Sequence, residues 1–576
     1  MVLPASVEAD RLTRFTAAAA ALQDAQVAAR REAAEVLIGV ADEWLADASV
    51  PRKQRLRQAQ AAINVLCMYI RSPFRLAKRY QRLAHGTVRR SWSAQKKRRL
   101  QASLEAFRAE AHLRGGILRA IAARLRTPDM VAPASGGKTP QQHGGAPGSW
   151  SALTYDFSGA VFFYPVDFSG AYWGRRAVFE GCVFYGSADF SGGFFRRKAR
   201  FAGCAWRSEV SFERCMFNRM ADFSQGHYKG PVNRRFCTYG DEAWLHESTH
   251  KNTVDYSGSI YRGWASFADN TYRADAVFSG CLYRRDAMFQ GSRYGGRAAL
   301  DHCTYEGAAF MRECVYERDA DMSGCTYYGR AAATECPGEQ ARFDASVYYG
   351  DVNYAGSVFC YHPDFTCSAY YGGADFGGCV YRRGLSVSGS AFHGPVNFGG
   401  SKCGKKSYCA SAVFTGPVTL TGTVFRKKVI FEESAFLALT DFSAADFSGR
   451  IPGFTECIFT PGEQYAFPQP VTAPPAGSRV LTPGRFAGST ISGSRFRRSP
   501  TRRLMTRRCL RLPASGCGFS RSSCTPGFST CKTRATSIPG LKRSEEYSCA
   551  LDRPTQVINT VTWEYACDIG KYPLHY

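Results

Sequence analysis

The sequence predicts a mainly β fold: a solenoid of short extended faces, preceded by an α-helical region and followed by a disordered tail. Three observations carry that expectation. Large apolar residues return every eleven positions between residues 157 and 447, glycine is frequent throughout that stretch, and composition changes sharply on either side of it.

The array rests on two interleaved series. Steps of eleven from Phe157 reach Phe168, Phe179, Phe190, Phe201 and Phe212, then continue through Arg234 to Met322; fifteen of these sixteen positions are large and apolar. A second series from Phe162 passes through Trp173, Phe184 and His250 to Tyr327, and fifteen of its sixteen are aromatic in a chain that is 14% aromatic. Spacing therefore alternates between five and six. Near Ala333–Gln340 the register slips by one residue and then resumes, with Phe376 on the first series and Tyr381 on the second, as far as Phe442 and Phe447.

An eleven-residue apolar repeat can also mark a right-handed helical supercoil. The 35 glycines between residues 157 and 447 argue against it, since each costs a helix about 1 kcal/mol relative to Ala. Phe, Tyr and Val suit extended faces, and Gly suits the turns between them.

Two positions before each large residue the side chain is small. In the first series it is Val166, Ala177, Ala188 or Ala199; in the second it is often cysteine, as at Cys182, Cys204, Cys215, Cys237, Cys336 and Cys379. Residues two apart on an extended segment point the same way, so each face sends one large and one small residue inward. The cysteines read as small hydrophobes. Zinc would need convergent thiolates at about 2.3 Å, and no C-x-x-C pair occurs in the array.

Phe or Leu at the centre of a five-residue unit, with Ala or Cys two before it, often Asp just before it and Ser-Gly after it, resembles the pentapeptide-repeat family. VDFSG at Val166–Gly170, ADFSG at Ala188–Gly192 and ADFGG at Ala374–Gly378 carry the likeness. The resemblance implies a right-handed quadrilateral β-helix with one unit per face. The extra residue in alternate units gives about 22 residues per coil, about 13 coils, and a rod of roughly 60 Å at the usual strand spacing. RFTAAAAALQ, INVLCMYIRSPF and GGILRAIAARL, followed from Trp150 by the array, are similar to actinobacterial pentapeptide-repeat proteins with a helical leader.

Residues 1–130 are expected to be helical, because Leu56, Ile63, Leu66 and Ile70, and later Leu104, Phe107, Ile117, Leu118, Ile121 and Leu125, recur at helical intervals. A Pro/Gly/Ser linker occupies 131–150, the array 151–459, and a basic segment expected to be disordered 460–576. No basic leader with an apolar core opens the sequence, and the run Ala61–Ile70 is half the length of a membrane span of about 20 residues. A cytoplasmic, reducing location is the expectation.

Charge is uneven. Residues 157–447 hold 31 Lys+Arg against 29 Asp+Glu, whereas residues 1–156 hold 25 against 12 and residues 448–576 hold 18 against 7. Attraction to nucleic acid or an anionic membrane surface is therefore expected from the ends. The candidate patch is Lys78, Arg79, Arg82, Arg89, Arg90, Lys96, Lys97, Arg98 and Arg99, interleaved with Phe74, Tyr80 and Trp92. A solvated connector is the simpler reading of the same run.

One catalytic motif stands out. HESTH, His246–His250, matches the H-E-x-x-H zinc signature. It falls inside the solenoid register, where His250 replaces an aromatic, so the two histidines are expected on different faces. The recurring Asp before the aromatic (Asp167, Asp189, Asp222, Asp255, Asp375) reads as a turn cap rather than a catalytic carboxylate. These readings point to a non-enzymatic interaction or scaffold module without cofactor or small-molecule substrate, its partner a protein. The alternative is nucleic-acid or membrane-surface association through the basic flanks. Less support attaches to the HExxH zinc hydrolase and to a DNA mimic occupying gyrase, a role the resemblance allows but which calls for an acidic rod.

Overall fold

The computed structural model describes residues 5–80, 83, 93–126, 147–328, 341–442, 444–450, 452–460, 465–466 and 479–480. Among them, four α-helices precede the array: α1 (Ala5–Ala21), α2 (Val27–Ala46), α3 (Arg52–Arg71) and α4 (Ala94–Leu125). Leu37, Val40, Ala41 and Trp44 of α2 meet Ile63, Leu66 and Ile70 of α3 and Ile117, Ile121 and Leu125 of α4 in one apolar core. Leu56 and Leu104 lie partly buried at its edge. Most of the expected linker, residues 131–146, lies outside the described residues.

From Tyr155 the chain winds as a four-sided parallel β-helix in which every strand is two residues long. Face A begins at Tyr155–Asp156, face B at Val161–Phe162, face C at Val166–Asp167 and face D at Tyr172–Trp173. Each strand pairs in parallel with the strand 22 residues on, as in Tyr155↔Ala177, Val161↔Val183, Val166↔Ala188 and Tyr172↔Phe194. Faces B, C and D hold 15, 14 and 12 successive strands, so the chain makes about 13 coils. Face A continues past Arg342 through single bridges at Asp364, Ser386 and Tyr408.

The unequal spacing of five and six comes from unequal corners. Between faces A and B, and between C and D, the chain turns on one residue of positive φ, such as Gly159 (φ 69) and Gly181 (φ 65). Three residues make each of the other two corners, for example Gly174–Arg176 between D and A.

Two sequence expectations need correction. The slip near Ala333–Gln340 is an insertion: Ala309 pairs with Ala341 and Thr326 with Val358, 32 residues on instead of 22. Ten extra residues between Tyr328 and Ala341 differ from a half-coil of eleven by one, so along the sequence they mimic a slip. Cys336 lies outside the described residues. The array also passes the expected boundary at 459, since Tyr465–Ala466 pairs with Thr440–Asp441 and Arg479–Val480 with Ile458–Phe459. The remainder of 460–576, and with it the expected disorder, lies outside the described residues.

The helices close the first coil. Arg71 of α3 donates to Ser158 O and Asp156 at the A–B corner, and Arg126 beyond α4 donates to Ser169 O and Asp167 at the C–D corner. Gln60 exchanges two hydrogen bonds with Thr154. Phe74 stacks on Phe163 at 5.0 Å and Tyr80 on Tyr185 at 5.1 Å. Phe74 and Tyr80, which sit at the start of the basic run, therefore dock the helices on the array and are not free to stack on bases; Trp92 lies outside the described residues.

A buried ion network organises this cap. Glu110, 3% exposed, accepts from Arg114 Nε (2.7 Å), Tyr69 Oη (2.7 Å) and Arg30 Nη2 (2.8 Å). Arg114 also donates to Ile70 O and Ser72 O. Burial pushes the Glu110 carboxyl up, but the bonds from Arg114, Tyr69 and Arg30 outweigh it and hold it below the ordinary value. Its contribution is thus complete above the unfolded value of about 4.3 and is lost as pH falls through the lower folded value. Glu110→Gln, which strands the buried Arg114, is expected to destabilise the protein by about 3–5 kcal/mol. Denaturant unfolding checks this: the gap between variant and parent should be full at neutral pH and shrink in acid.

Candidate interaction surfaces

The inward columns take up most of the residues with chemical potential. Phe157, Phe179 and Phe201 stack along face A, at 5.2 and 4.8 Å, and Phe168, Phe190 and Phe212 along face C, at 5.7 and 5.0 Å. Phe162 and Phe184 stack on face B at 4.6 Å, and Trp173 with Phe195 on face D at 5.8 Å. Further on, Phe376 and Tyr381 are fully buried in the same columns.

The cysteines are more than small hydrophobes. Each described thiol of the column donates to the carbonyl of the large residue that precedes the turn one coil earlier: Cys182 Sγ to Phe157 O (2.9 Å), Cys237 Sγ to Phe212 O (3.0 Å), Cys379 Sγ to Tyr354 O (3.1 Å). Ser259, Ser292 and Ser390 fill equivalent places with the same bond. The interchange of Cys with Ser along the column was the signal for a donor role. Burial pushes the Cys237 thiol up to about 12 and the Cys379 thiol to about 11.

The HExxH residues are separated by the wall. His250 is buried, its ring stacked between Tyr228 (4.5 Å) and Tyr272 (5.1 Å), and neither ring nitrogen has a hydrogen-bond partner. Burial, and then the charge of Arg234, hold it well below its ordinary value, so it is neutral. His246 sits at a corner beside Trp244. Among the described residues no group of three or more His, Cys, Asp or Glu is placed to hold a metal ion.

The break in the first series is a buried cation. Arg234, 1% exposed, donates to Tyr228 Oη (2.8 Å) and Tyr256 Oη (3.1 Å) and lies 4.3 Å from the Phe223 ring centroid. Among the described residues no carboxylate pairs with it.

The recurring aspartates cap the one-residue corners. Asp167 Oδ1 accepts from Ser169 N (2.9 Å), Asp189 Oδ1 from Ser191 N (2.8 Å), and Asp375 Oδ1 from Gly377 N (2.8 Å).

What remains for a partner is the outside. Of the expected basic patch, Lys78 and Arg79 are exposed on the 3-10 turn Arg75–Arg79, and Lys96, Lys97, Arg98 and Arg99 on the first turns of α4. Arg82, Arg89 and Arg90 lie outside the described residues. A surface not singled out in the sequence lies at the B–C corner, where Tyr349, Tyr371 and His393 form an outward ladder with centroids 5.1 and 4.8 Å apart. Tyr349 and Tyr371 are 55% and 50% exposed. Beside them face C carries a shallow groove of about 500 Å³ lined by Asp319, Asp321, Asp351, Asp375, Asn353 and Asn397, together with Arg297, which pairs with Asp321. Among the described residues no helix is long and apolar enough to cross a membrane.

Two outcomes check the interior. Iodoacetamide on the native chain should label Cys367, the exposed thiol among the described cysteines, and reach Cys182, Cys237 and Cys379 only after denaturation; equal labelling in peptide maps contradicts the column. Arg234→Met should raise unfolding free energy by about 1–3 kcal/mol, because it removes an unpaired buried charge.

A family model described as pentapeptide repeats (9 copies) matches residues 179–227. No curated protein and no solved structure matches the chain.

Proposed function

We propose that this chain, a pentapeptide-repeat protein, is a non-enzymatic, cytoplasmic interaction module whose outer faces hold a protein partner. The observation that carries the reading is the exposed Tyr349–Tyr371–His393 ladder beside the carboxylate-lined groove of face C. Large aromatic rings held rigid on a repeating backbone bury much area at little entropic cost. Asp319, Asp351 and Asp375 lie next to them, each already fixed by a backbone amide that it accepts through Oδ1. A flat, rigid rod suits binding to an extended protein surface.

A second reading is association of the helical cap with an anionic surface. Lys96–Arg99 crowd the start of α4, where the helix dipole disfavours positive charge. Their placement works against the helix, which favours a role in contact.

The test of the main reading is comparative co-purification from the native host. Tyr349→Ser/Tyr371→Ser should lose specific partners retained by the parent chain, with the melting temperature unchanged. An identical set of partners overturns the assignment to this ladder.

A further inference from the structure

The near-neutral charge of the array conceals a sorted surface. The D–A corners stack above one another, because the D and A strands that flank them pair coil by coil in register. In the eleven described three-residue corners from 174–176 to 426–428 stand sixteen Lys or Arg and four Asp or Glu. Two stretches carry most of the charge. Arg175, Arg176, Arg196, Arg197, Lys198 and Arg219 occupy the first three corners, and Arg382–Arg383, Lys405–Lys406 and Arg426–Lys428 occupy the last three; all are exposed, with no carboxylate among those six corners. Arg262, Arg284 and Arg285 lie between, interrupted by Asp241, Glu242, Asp286 and Glu306, and the connection from Tyr327 to Ala341 is the insertion, whose residues 329–340 lie outside the described residues.

Elsewhere on the array, outward charges are neutralised between neighbouring coils: Arg200 pairs with Glu180, Arg293 with Glu317, and Arg297 with Asp321. None of the corner cations forms an ion pair among the described residues. Like charges stacked one strand spacing apart destabilise a sheet, and in each of the two stretches they recur on three successive corners with no carboxylate among them. Aromatic rings share the same edge. Trp264 and Tyr328 are each 46% exposed, and Arg383 lies over the Tyr361 ring at 4.7 Å.

We propose that the D–A corner ridge is a docking surface for single-stranded nucleic acid. Two runs of unpaired cations on one edge, with exposed aromatic faces between them, supply phosphate neutralisation and base stacking together, the two contributions that hold single strands without sequence preference. A flexible strand can lie along the ridge, whereas the phosphate rows of a duplex wind away from a straight convex edge. The surface is separate from the Tyr349–Tyr371 ladder and from the cationic start of α4.

The experiment measures fluorescence anisotropy of labelled 30-mer oligo-dT and oligo-U with the full chain across a salt series. Arg382→Gln/Arg383→Gln/Lys405→Gln/Lys406→Gln should weaken binding at least tenfold near 0.1 M salt. It should also flatten the slope of log K against log salt by about 3, at about 0.7 per phosphate contact. Trp264→Phe should weaken binding with an unchanged salt slope. Circular dichroism and melting confirm that each variant folds. The proposal is overturned if the ridge variant binds like the parent, or if Lys96→Gln/Lys97→Gln/Arg98→Gln/Arg99→Gln alone abolishes binding. It is also overturned if a 30-base-pair duplex or phosphatidylserine vesicles compete as well as the unlabelled strand.

Discussion

The fold depends on a left-handed residue once in every half-coil. At each such corner the amide of the left-handed residue still donates along the axis, as from Gly159 N to Glu180 O at 2.8 Å, so the ladder passes through the bend unbroken. Glycine takes this conformation without a Cβ penalty. Yet Arg214 (φ 57), Glu247 (φ 54), Glu313 (φ 58) and Glu433 (φ 59) adopt it too, at roughly 1–2 kcal/mol each. The coils above and below hold these residues in place, since the hydrogen-bonded strands on both sides leave the corner no other path. Half-coils of eleven follow from that geometry, and so do the continuous aromatic columns.

The same corner explains the cysteines. The carbonyl before the turn accepts a backbone amide three residues on, as Phe157 O does from Ala160 N, and faces the interior of the next coil. A small donor there meets it, whether Cys182, Ser259 or Ser390. Asn270 does so with a longer side chain, donating to Leu245 O, Phe267 O and the Tyr272 hydroxyl. Thiol, hydroxyl and amide are exchangeable at this place because the requirement is a proton directed at one carbonyl, within a space too small for a large side chain.

Much of the fold was legible because the repeat is strictly local. A period of eleven, small residues two before large ones, and Asp-x-Ser-Gly corners are each properties of a few adjacent residues, and they located the columns of Phe157, Phe162, Phe168 and Trp173 correctly. Relations between coils were not legible in the same way. The ten-residue insertion after Tyr328 reads as a slip of one unless the partner of Ala309 is known. Phe74 and Tyr80 resemble base-stacking residues in sequence, and only the packing shows that Phe163 and Tyr185 already cover them. Glu110, Arg30, Tyr69 and Arg114 come from three separate helices with nothing to link them in the sequence. The ladder of Tyr349, Tyr371 and His393 escaped notice because its members are 22 residues apart and differ in type.

A repeat of 22 residues gives each position in the coil a column of its own, and those columns can be charged independently of the total. Outward positions of face C carry Asp167, Asp189, Asp255, Asp321 and Asp375, while the D–A corners carry the unpaired arginines and lysines. A net charge near zero over residues 157–447 therefore conceals columns of opposite sign. Each column acts on a partner at contact distance, where a Debye length of about 8 Å at physiological salt keeps the opposite column from cancelling it. For a solenoid, the quantity that governs recognition is therefore charge per column, and the sum over the chain discards it.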